Sequence, residues 1–157
     1  MADDERDDES QSERNSRRLL ELLQEVRVAT AGVQILFGFL LAVPFQQGFE
    51  KISSFQKHVY LVVLICTALS SALLIAPTAL HRLLFRQGHK PQIIEMANRM
   101  VIVGLVLLAI SMIGVVLLLT HEIFGPAAAL AVTIPIGAVF AVTWFVIPLM
   151  RREEGSS

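Results

Sequence analysis

Cysteine, tryptophan and tyrosine each occur once in the 157 residues. A single thiol excludes an intrachain disulfide framework and a cysteine metal cluster. Cys66 lies inside an apolar run, where a thiol serves as a small buried hydrophobe. Charge is also scarce, since Asp, Glu, Lys and Arg make up 17% of the chain against about 25% in an average soluble domain. Four long stretches carry no Asp, Glu, Lys, Arg or His in their central portions. Proton and sodium antiporters need an ionisable group at membrane depth to bind and release the coupling ion, and that requirement is unmet. The chain has no Gly-rich phosphate loop, no nucleophile elbow and no HExxH helix, so the motifs supply no catalytic, cofactor-binding or metal-ligating set. Net charge is -1, with cations gathered just outside the apolar runs, a pattern that reports topology rather than a nucleic-acid partner. The first apolar run starts at Val28 behind an acidic segment, which is not the basic start of a cleaved signal peptide.

What the chain does have is apolar length: 54% of its residues are hydrophobic. Val101 to Thr120, VIVGLVLLAISMIGVVLLLT, is uncharged throughout. As a helix rising ~1.5 Å per residue it covers ~30 Å, the hydrocarbon thickness of a bilayer. Residues 28–45, 59–80 and 126–149 have similar character. These stretches predict an all-α protein, a four-transmembrane-helix bundle solvated by membrane lipids. Residues 1–16 hold almost nothing that folding would bury and read as a disordered acidic tail. In residues 17–27, RRLLELLQEVR, Leu19, Leu22, Leu23 and Val26 recur at helical spacing with Arg18, Glu21 and Glu25 elsewhere around the axis. That segment is an amphipathic helix, lying in the headgroup region or running on into the first span. Residues 151–157 form a polar tail behind Arg151 and Arg152.

Within the first span Gln34 is the most polar residue. An amide in hydrocarbon seeks a partner, so Gln34 is expected to face the bundle. Gly32, Gly38, Ala29 and Ala31 allow close backbone approach. The span ends where Pro44, Gln46, Gln47 and Gly48 spoil the helix, and residues 46–58 read as a loop with Phe45, Phe49 and Phe55 toward the membrane. In the second span Ala68, Ala72 and Ala76 recur every four residues beside Thr67 and Ser71, a small-residue ridge expected to meet another span. Gln34, Thr67, Ser70 and Ser71 are the candidate polar contacts inside the membrane, read either as interhelical hydrogen bonds or as the lining of a solute path. Pro77 loosens the last turns. The next connection carries Arg82, Arg86, Lys90 and Arg99, with Gly88 as a helix stop, Pro91 opening a new helix, and Glu95 and Arg99 placed for an i,i+4 pair. His121, Glu122 and Gly125 make a short turn, and Pro135 should kink the fourth span near Gly137 and Ala141. Glu25, Arg27, His81 and Arg82 border spans as interfacial residues, Glu25 and Arg27 as an ion pair. Tyr60 suits an interfacial position, whereas Trp144 is less clearly placed. His58 and His121, both at span ends, are the residues on which a haem or quinone reading would rest.

Cations near the membrane number ten at the N-terminus, the second connection and the C-terminus together: Arg14, Arg17, Arg18, Arg27, Arg82, Arg86, Lys90, Arg99, Arg151 and Arg152. The first connection has two, Lys51 and Lys57, and the third none. Positive-inside bias therefore predicts both termini in the cytoplasm and the protein in the cell membrane.

LLQEVRVATAGVQILFGFLLAVPF, then IAPTALHRLLFRQGHKP and EMANRM, resembles a bacterial family of small four-span membrane proteins of unknown function. The resemblance covers residues 17–119 and rests on Leu22, Glu25, Arg27, Gly32, Gln34, Pro44, Pro77, His81, Arg82, Phe85 and Arg86. It implies the four-span fold; members sometimes carry a sodium:proton antiporter label. The expected role is a non-enzymatic interaction or accessory subunit, self-associating through the alanine ridge of the second span or bound to another membrane protein, with no cofactor. A small transporter or channel subunit is the alternative, and a haem or quinone protein a third.

Overall fold

The computed structural model describes Gln24 and residues 26–84 and 90–146. Helix α1 occupies residues 26–42 and closes in a 3-10 turn at Val43–Phe45. Helix α2 is Ser54–Leu84, α3 is Lys90–Phe124 and α4 is Pro126–Ala141, followed by a π-turn at Val142–Val146. Among the described residues there is no strand. Four segments are long and apolar enough to cross a membrane: Val26–Phe45, Ser54–Ala79, Glu95–Phe124 and Pro126–Trp144. The protein is an all-α, four-span membrane protein, as the apolar runs predict. The acidic tail, the amphipathic segment apart from Gln24, Val26 and Arg27, the Gly88 stop and the C-terminal tail lie outside the described residues.

Two of the boundaries are set by local chemistry rather than by where the apolar runs stop. Helix α2 begins five residues before position 59 because Ser53 and Gln56 cap it reciprocally. The Gln56 amide N–H donates to Ser53 Oγ at 3.2 Å, and the Ser53 N–H donates to Gln56 Oε1 at 2.8 Å, which satisfies two otherwise unpaired helix-end donors. The 46–58 loop therefore shrinks to a short link containing a 3-10 turn at Phe49–Lys51. Helix α3 continues to Phe124, and Gly125 alone reverses the chain into α4 at φ 83°, ψ 178°, a conformation essentially confined to glycine. Pro126 then occupies the first turn of α4, where its missing N–H costs nothing.

Apolar residues occur on several faces of every helix, and the face that turns inward follows a seven-residue repeat. Buried positions on α1 are Val26, Val33 and Leu40; on α2 they are Gln56, Tyr60, Val63, Thr67, Ser70, Leu74 and Pro77; on α3 they are Ala97, Val101, Gly104, Leu108 and Ser111, with Ala109 beside them. Alternating three- and four-residue steps are the signature of left-handed helix packing. One cluster joins Val26 and Val33 of α1 to Leu74 of α2 and to Val101 and Leu108 of α3. A second joins Leu40 to Tyr60 and Val63. The contacts pair the start of α2 with the end of α3, so the two run antiparallel. Helix α4 packs on α3, buries only Ala129 among its described residues, and does not meet the described part of α2. Gly137 stands against Ile113, while Ala141 is exposed. The outer faces carry side chains such as Val28, Phe39, Leu130 and Ile134, the distribution expected where lipid is the solvent.

Candidate functional site: the polar seam and the cleft at its end

Three hydroxyls lie on the α2–α3 seam with no exposed surface: Thr67, Ser70 and Ser111. Ser70 Oγ crosses the seam and donates to the Gly104 carbonyl at 2.7 Å. Thr67 Oγ1 donates within its own helix to the Val63 carbonyl at 2.7 Å, and Ser111 Oγ donates to the Leu107 carbonyl at 2.9 Å while standing 3.4 Å from the Val63 carbonyl. A hydroxyl has one proton to give, and each here gives it to backbone. Glycine makes the approach close. A Cβ at Gly104 would stand 3.0 Å from Leu74 Cγ, and one at Gly114 would overlap Val63 Cγ2. The seam is therefore helix-packing chemistry rather than an open row of polar groups.

One expectation fails at this seam, and the alanine ridge lies beside it. Gln34 is exposed on the outer face of α1, because Val26, Val33 and Leu40 fix the inward face and Gln34 sits about 100° around the axis from Val33. It does not join Thr67 and Ser70. The alanine ridge does not build the α2–α3 contact: Ala72 is exposed, and Ala68 and Ala76 are half-buried on the flank of the seam. Ser71 is half-buried beside Ser70, and Arg27 is exposed. Glu25 and the side chains of His81 and Arg82 lie outside the described residues.

At the end of the seam where both short connections lie, a second polar group ties the helices together. Gln56 is 5% exposed, and its Nε2 donates to Glu122 Oε2 at 2.6 Å, joining the first turn of α2 to the last turn of α3. Tyr60 OH donates to the Leu40 carbonyl at 2.7 Å, and the Phe49 ring meets the Tyr60 ring edge-on at 5.1 Å. Between these groups lies a cleft of about 240 Å³, walled by apolar side chains including Val43, Phe49, Ile52, Leu118 and Leu119. Of the two histidines on which a haem or quinone reading would rest, His58 Nδ1 stands 2.6 Å from the carbonyl of Ser54 in its own helix, and His121 packs against Phe55. No group of three metal-ligating side chains forms among the described residues.

Residues 8–148 match DUF6328, a family of unknown function. The chain belongs to that family. The match runs further than the residues on which the resemblance rests and takes in all four helices. No curated protein and no solved structure matches it. The DUF6328 assignment indicates no activity.

Sequence reasoning missed Gly104, Ser111, Gly114, Gln56 and Glu122. The heptad spacing of Val63, Thr67, Ser70, Leu74 and Pro77 was the available signal for the seam, and the Ser53-x-x-Gln56 box was the signal for the cap.

Proposed function

We propose that this DUF6328 member is a non-enzymatic protein of the cell membrane that works by lateral association, as an interaction or accessory subunit whose first partner is a second copy of itself. Gln34 carries the reading. It is exposed near the middle of the Val26–Phe45 span, and none of the hydrogen bonds among the described residues involves it. In hydrocarbon an amide gains ~0.6 to 2 kcal/mol from a partner on another helix. A primary amide both donates and accepts, so Gln34 is self-complementary across a two-fold axis. Ala31, Gly38 and Ala42 are exposed on the same side, and a Cβ at Gly38 would meet nothing within 4 Å, so a second helix can come close. The exposed edge of the alanine ridge, Ala72, is the weaker candidate face, because it offers no hydrogen bond. Transport has less support: the seam hydroxyls are committed to carbonyls, and Gln34 points away from them.

Mass measurement in mild detergent tests the proposal. The expected result is a dimer that Gln34→Leu weakens about threefold to thirtyfold, the equivalent of that hydrogen-bond range. A wild-type protein that is monomeric and brings no partner with it would refute the reading.

A further inference from the structure

We infer that the cleft beside Gln56 and Glu122 is a binding site for a single-chain amphipathic amine, with the ammonium on the Glu122 carboxylate and the first part of the alkyl chain against Phe49, Leu118 and Leu119. This site is independent of the self-association proposed above. Glu122 lines the cleft and is exposed, so its carboxylate stands where the cleft meets solvent. Gln56 holds Oε2 at 2.6 Å, and Gln56 is itself fixed by the Ser53 N–H, so the carboxylate is oriented before any ligand arrives. Among the described residues no hydrogen bond uses Oε1. Among the described residues the ion pair formed is Glu95–Arg99, far along α3, and no Lys, Arg or His lies within ion-pair distance of Glu122.

Three of the neighbouring polar groups are already engaged elsewhere, and His121, although its Nδ1 is buried without a hydrogen-bond partner, is not within ion-pair distance of Glu122. Lys57 Nζ lies 3.3 Å from the Glu50 carbonyl, His58 bonds within its own helix, and the Tyr60 hydroxyl is committed to the Leu40 carbonyl. An anionic head is repelled, and a neutral head leaves the carboxylate without a counter-charge. Charge complementarity at an apolar cleft thus selects a cation carrying a chain. The Glu95–Phe124 span ends two residues beyond Glu122, which puts the carboxylate at interfacial depth, where amphipathic ammonium compounds collect. A zwitterionic lipid fits less well, because its phosphate adjoins the ammonium and would face Glu122. The volume of about 240 Å³ is below the ~300 Å³ of the smallest drug-sized sites, so the cleft takes a short length of chain and leaves the rest in lipid.

Tyr60 is the chain's one tyrosine and lines the cleft, so in a Trp144→Phe background its fluorescence reports occupancy. The full chain in phosphatidylcholine vesicles is titrated with a nitroxide-labelled alkylammonium and with the alcohol of equal chain length. Saturable quenching by the amine and only linear quenching by the alcohol are expected. Glu122→Gln keeps the volume and should weaken the saturable phase about tenfold, the scale of one interfacial charge contact. Leu119→Phe, at a position 58% exposed and tolerant of size, crowds the cleft and should weaken it with the carboxylate intact. Equal binding of amine and alcohol, or unchanged amine binding in both variants with helical content retained, overturns the inference. So does displacement of the amine by phosphatidylethanolamine at comparable concentration, since the occupant would then be a lipid head.

Discussion

Pro44 and Tyr60 act together. In α1 the Leu40 carbonyl would accept from the N–H of residue 44, and proline has none. The hydroxyl that replaces it comes from Tyr60, twenty residues on and buried. Tyr60→Phe should therefore cost about 1–2 kcal/mol, because it strands a carbonyl at the edge of the membrane. In a Pro44→Ala background the helix supplies its own donor and the same substitution should cost much less. Unfolding in mixed micelles gives both values, and strict additivity of the two substitutions would show that the residues are uncoupled. The cap at Ser53 and the reversal at Gly125 follow the same residue-scale logic: a backbone group is either satisfied by a particular side chain or freed by a particular φ.

At the scale of the helix, shape outweighs hydrogen bonding. The bond from Ser70 to the Gly104 carbonyl crosses the seam, yet interhelical bonds of this kind average about 0.6 kcal/mol in membranes. Gly114 is where Val63 enters α3, and no side chain fits there. Ser70→Ala should thus lower stability by about 0.6 kcal/mol, whereas Gly114→Ala should lower it by about 1–3 kcal/mol through overpacking. Val63→Ala should recover part of the Gly114→Ala loss, and the same unfolding assay ranks the three. A Gly114→Ala protein as stable as Ser70→Ala would contradict the packing. This ranking also explains what the sequence conceals. The spans were legible because lipid solvates long uncharged runs regardless of helix order. The inward face was not, because residues such as Leu61 and Leu64 are equally apolar whether they meet lipid or a helix. The alanines at 68, 72 and 76 stand out to the eye, but the seam follows the seven-residue repeat through Thr67 and Leu74 beside them. Gln34 was misplaced for a related reason: the rule that a membrane amide needs a partner does not say that the same chain supplies it.

For the whole molecule, the lengths of the helices and the placement of cations bear on one question, namely which end faces which compartment. Helix α3 has 35 residues and so extends ~52 Å, well beyond the ~30 Å of a bilayer core. The excess falls at the Lys90–Arg99 end, because the opposite end stops at Phe124 and turns back at Gly125. Helix α2 likewise reaches Leu84, so both helices project from the membrane on the side where positions 82, 90 and 99 lie. Glu95 and Arg99 pair there at 2.7 Å with both side chains well exposed, as befits a segment in water. With ten cations on that side against two on the other, that end should be cytoplasmic. The single native cysteine makes the orientation measurable. In a Cys66→Ala protein, Lys51→Cys should react with an impermeant maleimide added outside intact cells, and Ser157→Cys should react only after the membrane is opened. Labelling of Ser157→Cys alone would mean that the excess cations do not set the orientation, and the cleft at Glu122 would then open to the cytoplasm; labelling of both sites from outside would contradict four crossings.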